Sequence, residues 1–367
     1  MASIVDKHLA DGSRAYLVRF RTPDGRQRSK QFKRKKEADA YASVVEVGRL
    51  HGSVIDPRLG RITVSQWFDR WWPTVTNLRR TTYARDEQYF RTHVLPSFGT
   101  VPLALVDRTE LREWIATMVR SPDEGGRGKA PATAQKAVQV FNKCLRAAVE
   151  DRLIPHNPLA DLPLPKIERE EMRFLSVAEV WQLADAIDPR YRAFVLVGAY
   201  GGLRLGEMAG LQWSRVDSAA HELVVRETLT DVRGHLELGP PKTRAAIRTV
   251  AVPAFVIDEL NARKNGSARA SDLVFASPDG FPLRASLFRR RFWTPAITSA
   301  GLAPCRIHDL RHTAISLWIA AGANPKQVAV RAGHTSVSVV LDRYGHLYPK
   351  HDDGLVAALE RGRPRQA

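Results

Sequence analysis

Residues 308–313 read HDLRHT and bring two histidines, an arginine and an aspartate into six positions. At helical spacing His308, Arg311 and His312 fall on nearly one face. Groups that carry positive charge or a movable proton, held together, call for an anionic partner. Three other segments carry residues of the same kind. GGLRLGEMAGLQW (201–213) sets Arg204 at the start of an apolar helix. A buried arginine there is costly unless it meets an anion, and Glu207 three residues on is a second way to satisfy it. PPKTRAAIRTV (240–250) places Lys242 just before a strand, where a hairpin tip would project it into a cleft or into solvent. AGHTSVSVVLDRYGHL (332–347) offers His334 and Tyr344, either of which could also be a packing residue.

A different chemistry is open to the same histidines. His308 and His312 stand four apart, as zinc ligands can, with His334 as a third. Aspartate follows His308 where H-E-x-x-H has glutamate, and no carboxylate cluster suited to Mg²⁺ accompanies them. The reading is therefore of a site without metal or cofactor.

The chain that must position these residues has 367 of them and a formal charge of +17, from 56 Lys and Arg against 39 Asp and Glu. That length implies two or three domains, and that charge implies a polyanionic partner, above all nucleic acid. A hydrophobic share of 44% argues against general disorder. No apolar run reaches membrane-spanning length and the start has no long hydrophobic region, so neither a membrane protein nor a secreted one is expected. Cys144 and Cys305 lie far apart and read as small core residues in a reducing compartment.

The charge is concentrated near the start, with ten Lys or Arg and one Asp between Arg14 and Lys36. AYLVRFR (15–21) alternates, TPDG (22–25) is turn chemistry, and RQRSKQF (26–32) returns with Arg26, Arg28 and Lys30 on one face. KKEADAYASVVEVGRL (35–50) is helical by periodicity. A sheet with a basic outer face could lie in a DNA groove, with Arg19, Arg21, Arg26, Arg28 and Lys30 as contacts; a soluble hairpin edge would show the same charges. A connecting stretch (51–63) precedes helices expected at 64–75, 78–94, 107–120 and 132–154, the third capped by Asp107. Trp67, Trp71 and Trp72 read as core. PHNPLADLPLPKIERE (155–170), with four prolines, reads as a linker. Ser176 and Glu179 form a capping box that opens a mainly helical third domain, with strands at 222–229, 235–239 and 246–252.

The order of GLRLGE (202–207), HDLRHT (308–313), AGH (332–334) and YGHL (344–347) resembles the tyrosine recombinases of the phage-integrase type. VLPSFGTVPLALV (94–106) and RLIPHNPL (152–159) are similar to family passages, so the likeness runs through the whole chain. It implies a multidomain, mainly α protein with small β-sheets. Its parts would be an arm-type DNA-binding domain of three strands and a helix (1–55), a helical, SAM-like core-binding domain (62–158), a linker (159–172), a mixed but mainly helical catalytic domain (173–352) and a tail (353–367) with a helix at 354–362. Site-specific recombination of duplex DNA is the implied activity, for a phage or another integrating element in the cytoplasm of a bacterial host. The implied assembly is four protomers on core and arm sites, aided by a DNA-bending host factor and an excisionase.

Residue by residue, the resemblance makes Tyr344 the nucleophile that forms a 3′-phosphotyrosyl link. Arg204 and Arg311 would clamp the phosphate, His308 and His334 would donate hydrogen bonds or handle protons, and Lys242 would be the general acid. His312 and His346 would support the site, and Asp309 would start a helix or support the site without being a catalyst. Phenol ionises near pH ~10, so a reactive tyrosine needs a positive site that favours phenolate or a neighbouring base, and the surrounding cations are expected to supply that field. The chain departs from the family's common pattern at Ala332, where leucine is usual, and in the ten-residue step from His334 to Tyr344. Tyr348 is a second tyrosine nearby. A metal-dependent nuclease, a DNA-binding regulator without chemistry and a topoisomerase are the competing readings.

Overall fold

The computed structural model describes residues 3–8, 14–21, 27–50, 59–168, 172–264, 266–348 and 359–361. The TPDG turn, Arg26, residues 51–58 of the first connection and most of the expected tail helix lie outside the described residues. The chain divides into two compact units, Met1–Arg169 and Glu170–Ala367.

In the first unit β1 (Ser3–His8), β2 (Arg14–Arg21) and β3 (Gln27–Phe32) form an antiparallel sheet in that order, followed by the helix Lys35–Leu50. Val18, Phe20 and Ala38 form a buried apolar cluster there, packed with Tyr16, Phe32 and Tyr41. The register corrects the expected basic outer face. Lys30 pairs with Val18 and Arg28 with Phe20, and residues opposite one another in an antiparallel pair project to the same side. Arg28, half-buried, and Lys30, still exposed, therefore share the side that packs on the helix, while Arg19 is exposed on the other. The Lys30 ammonium lies 4.5 Å from the centre of the Tyr41 ring on the helix. Phe32 opposite Tyr16 explains this, because the apolar set of β2 decides which way every residue of β3 points.

The same unit holds the helices Val64–Trp71, Arg80–Tyr89, Arg108–Val119 and Pro131–Glu150. Asp107 caps the third, accepting from the Thr109 and Glu110 amides at 2.7 and 3.2 Å. Pro73 ends the first helix earlier than its apolar pattern suggests, since proline removes a backbone donor. The second helix passes into a wider π turn, Phe90–Val94. Trp67 and Trp72 are core, and Phe68 stacks on Phe90 with ring centres 3.8 Å apart. Asp86, fully buried, is held by Arg85, Lys136 and Lys143. The proline-rich segment is irregular as expected, yet its first part is not a free tether: Leu159 and Leu162 are buried in the helical core. Arg108 donates to the carbonyls of Pro158 and Ala160.

The second unit opens at the Ser176 capping box. The Glu179 amide donates to the Ser176 hydroxyl, and the Ser176 amide to the Glu179 carboxylate. β4 (Val216–Asp217), β5 (Glu222–Val225) and β8 (Arg248–Ala251) form one sheet, and β6 (Thr228–Val232) pairs with β7 (His235–Gly239) as a separate hairpin. The apolar run at 222–229 is thus two strands of different sheets. Among the described residues no helix is long and apolar enough to cross a membrane.

Two helices of this unit set the positions of Arg204 and Arg311. Arg192–Gly201 packs on Asp309–Ala320 so closely that a Cβ on Gly198 would stand 2.6 Å from Leu310 Cδ1. The first of them ends at Gly202, at φ +64°, where a Cβ would be 2.6 Å from the Trp318 ring. Gly202→Ala combines left-handed strain with overpacking, so the second unit should lose about 2 kcal/mol or more of stability in urea unfolding.

Candidate active site

HDLRHT begins the helix Asp309–Ala320, with His308 as its N-cap residue. Asp309 starts that helix in the expected way. Its carboxylate accepts from the Arg306 amide at 2.7 Å and from the Arg306 guanidinium at 3.0 Å. Leu310, Ala314 and Ile315 are fully buried and fix the helix's rotation. Arg311 and His312 are thereby carried inward, at 3% and 5% exposure, while His308 keeps an exposed edge.

Arg311 donates to the Gly202 carbonyl at 2.6 Å, to the Ala332 carbonyl, and to His334 Nε2 at 3.1 Å. Gly202 and Gly333 both have positive φ and end helices, Arg192–Gly201 and Pro325–Ala332. Carbonyls there lack intrahelical donors, and guanidinium supplies them. Arg204 does the same at the other glycine, donating to the Gly333 carbonyl at 3.2 Å.

Arg204 precedes the short helix Leu205–Ala209 and pairs with Glu207 at 2.6 Å. Both satisfactions foreseen for Arg204 are thus compatible: it has a carboxylate and still faces the group. Glu207 is 3% exposed and also binds Arg248 at 3.0 Å. Burial alone would raise the Glu207 carboxyl, but Arg248 and Arg204 outweigh it and hold it below the usual carboxylate range.

Sequence reasoning missed Arg248. Its guanidinium also donates to the carbonyls of Arg331 and Ala246, tying β8 to the turn before His334. The signal was present in AIRTVAV, where alternation puts Arg248 on the side of Val250, and both are buried. Lys242 lies exposed on the connection between β7 and β8, not at the hairpin tip, which falls at Arg233 and Gly234. That connection is close to the histidine turn: a Cβ on Gly333 would stand 3.1 Å from the Ala245 carbonyl oxygen.

Tyr344 ends the helix Ser338–Tyr344 and is 2% exposed. Its hydroxyl meets His312 Nδ1 at 2.6 Å. Arg204, His308, Arg311, His334 and Tyr344 are therefore gathered in one place, and His312, read from sequence as a supporting residue, is the one that touches the phenol. Tyr348's hydroxyl is buried and meets no partner among the described residues. His346 is exposed, its ring 6.1 Å from Phe174.

The electrostatics correct one expectation. Burial raises the Tyr344 phenol above its ordinary value, and the opposing pull of Arg311 and Arg343 does not reverse this. The resting side chain is neutral phenol, not phenolate. Burial, then Arg204 and Arg248, lowers Arg311 to about 9, which still leaves it charged at neutral pH. Burial and then Arg311 push His334 down to about 4, and burial and then His308 do the same to His312. His308 is lowered by burial and then by Arg311. A neutral His334 that accepts at Nε2 carries its proton on Nδ1, and that buried atom has no partner among the described residues. The site thus presents guanidinium and imidazole donors, an excess of positive charge and one hydroxyl. That is what binding an anion beside a nucleophile requires. Among the described residues no three His, Cys, Asp or Glu side chains cluster as metal ligands, and His308 and His312 stand edge to face, 4.8 Å apart.

Comparison with known proteins agrees in both units. Residues 173–351 match the Phage integrase family and residues 63–119 match the phage integrase N-terminal SAM-like domain. The ICEBs1 integrase of Bacillus subtilis is 27% identical over 60% of this chain, and the match spans 63% of that relative, a little under two thirds. The integrase of Mycobacterium phage D29 is 28% identical over 75% of this chain and 72% of its own. The Tn1549 transposon integrase, solved in complex with a circular intermediate DNA, shares the fold at TM-score 0.65 and 19% identity, covering 82% of this chain and 100% of that one. A lambda integrase tetramer bound to a Holliday junction does so at TM-score 0.59 and 17% identity, over 99% and 97% of the two chains.

The lowered histidines set a pH window for stability. Both depart from an ordinary value of 6.5 and fall to about 4. Between those values the unfolded chain takes up protons that the folded one refuses, so stability declines as pH drops from 6.5 toward 4 and recovers as it rises. Melting temperatures from pH 8 to 4 should show this slope, and His334→Gln should flatten it. Glu207 acts in a lower window, its contribution being lost as pH falls through the carboxylate range. Glu207→Gln leaves the buried Arg248 without its counter-charge and should cost about 3 kcal/mol in urea unfolding.

Proposed function

The chain belongs to the phage integrase family, and from that premise we propose that it is a site-specific recombinase that cleaves and rejoins DNA through Tyr344. The observation that carries this reading is the convergence of Arg204, His308, Arg311 and His334, from three separate segments, on the surroundings of one buried tyrosine hydroxyl. A DNA phosphodiester is the anion that such donors fit. The planar forks of Arg204 and Arg311 suit its two non-bridging oxygens, and the His334 Nδ1–H is a further donor.

In the proposed reaction Tyr344 Oη bonds to phosphorus and the bond to the 5′-oxygen breaks, leaving a 3′-phosphotyrosyl link and a free 5′-hydroxyl. Lys242 would protonate the departing oxygen as general acid. Charge that builds on the phosphate oxygens would be met by fixed donors, each worth roughly 3 kcal/mol in comparable sites. The link keeps the phosphodiester's energy, so rejoining needs no ATP, and the residues assign no step to a metal.

The division of labour follows from the same premise. Residues 173–352 would carry the chemistry, 62–158 would bind the core site, 159–172 would link them and 1–55 would bind arm sites. Arg19 and Arg21 would contact the phosphate backbone, where the sequence-independent part of DNA affinity arises, whereas Arg28 and Lys30 share the side that packs on the helix. The assembly would be four protomers on paired sites, in the cytoplasm of a bacterial host. The tetramer of the lambda relative on a Holliday junction supports that arrangement. The tail (353–367) would pack on a neighbouring protomer, and a host bending protein and an excisionase would set direction.

A nicked suicide duplex carrying the element's attachment core traps the covalent intermediate. Tyr344→Phe should form no adduct while binding the same duplex with unchanged affinity; adduct formation by this variant would end the assignment. Lys242→Ala should slow adduct formation by about 100-fold or more. A substrate with sulfur as the bridging 5′ atom, which leaves without a proton, should restore it.

A further inference from the structure

The hydroxyl assigned as nucleophile meets a residue outside the group chosen for its chemistry. Tyr344 Oη is 2.6 Å from His312 Nδ1, and both side chains are buried, at 2% and 5% exposure. Arg311 is the residue immediately before His312 on the helix Asp309–Ala320. The arm that would hold the phosphate and the atom that holds the phenol thus ride on one rigid turn, which fixes their separation better than loops would. The phenol is held from behind by Phe174, ring centres 6.4 Å apart, and by the apolar cluster around Ile315, Val328 and Val340.

We propose that His312 orients the Tyr344 hydroxyl and accepts its proton during cleavage. The inference rests on Tyr344 being the nucleophile. As Oη bonds to phosphorus its proton passes to His312 Nδ1, and the phosphorus bond to the 5′-oxygen breaks. That oxygen takes a proton from the general acid. In the reverse step the 5′-hydroxyl attacks and gives its proton back to the general acid's conjugate base, the Tyr344 oxygen leaves, and the imidazolium returns its proton to it. Protons and electron pairs balance without an oxidant, a reductant or another reactant.

The magnitudes say when this transfer happens. A phenol above its ordinary value facing an imidazole lowered to about 4 does not ionise on its own. Transfer becomes favourable only as the new bond draws charge from the phenol oxygen, and an arriving phosphate raises the imidazole's basicity. The groups that act on His312 are His308, Asp309 and Arg306 from its own helix and the turn before it, with Arg343 and Tyr344 from the helix Ser338–Tyr344. Of these His308 and the arginines disfavour imidazolium and Asp309 favours it, and a bound anion would add to the effect of Asp309.

The test uses the full chain and the nicked suicide duplex, with the single-turnover rate of adduct formation at saturating DNA as readout. His312→Ala should slow the adduct by about 100-fold or more while duplex affinity stays at the wild-type value. His312→Asn keeps an acceptor oxygen near the Nδ1 position but takes up no proton. It should match the wild type in melting temperature and affinity, lose the rate, and lack the acid-side fall in rate expected of the wild type. Added imidazole should partly restore His312→Ala, whereas a sulfur-bridged substrate should restore neither variant. Wild-type rates in the Asn variant, or recovery on the sulfur substrate, would overturn the assignment while leaving Tyr344→Phe inert. An adduct formed by Tyr344→Phe would instead overturn the nucleophile itself.

Discussion

The second unit depends on how one buried cation is satisfied. Arg311 is 3% exposed, and its guanidinium is held by two backbone carbonyls and an imidazole nitrogen. Neutral acceptors of this kind solvate a charge without cancelling it. The carbonyls belong to the C-terminal ends of two helices, where the backbone dipole is negative, so the fold itself supplies much of the compensation. Nearby, Glu207 serves both Arg204 and Arg248. Three guanidinia around one carboxylate leave the interior positive, and a phosphate is the natural complement. Two glycines with positive φ and two closely packed helices keep those carbonyls where the cations need them.

That arrangement constrains the tyrosine. Positive charge nearby favours phenolate, burial disfavours it, and burial prevails. A neutral phenol inside the fold is protected from indiscriminate reaction, and its hydroxyl has a defined neighbour in His312. Reactivity would then arise with the substrate, because an anion changes the balance for every imidazole in the group. The lowered values of His308, His312 and His334 come from burial together with the same excess of positive charge.

Much of this was legible in the residues. The caps at Asp107 and Ser176, the buried tryptophans, the short sheets in a helical protein and the ordered motifs all stem from local chemistry and periodicity. Other features were not. Arg28 and Lys30 looked like an outer face because three cations alternate along one strand, but which side of a strand is outer depends on its partner's register. Leu159 and Leu162 sit in a proline-rich stretch that reads as linker, and only the helices beside them show why they are buried.

The sequence by itself determined which side chains could hold an anion and attack it, since residue type sets charge, proton affinity and reach. It also determined the helix starts that carry them, because caps act over three or four residues. Tertiary structure decided the partnerships: Arg248 with Glu207, Arg311 with the ends of two helices, and His312 rather than His308 against the phenol. Those contacts join residues 21 to 109 positions apart. At such separations only the packing of helices and strands, and not local spacing, sets which atoms meet.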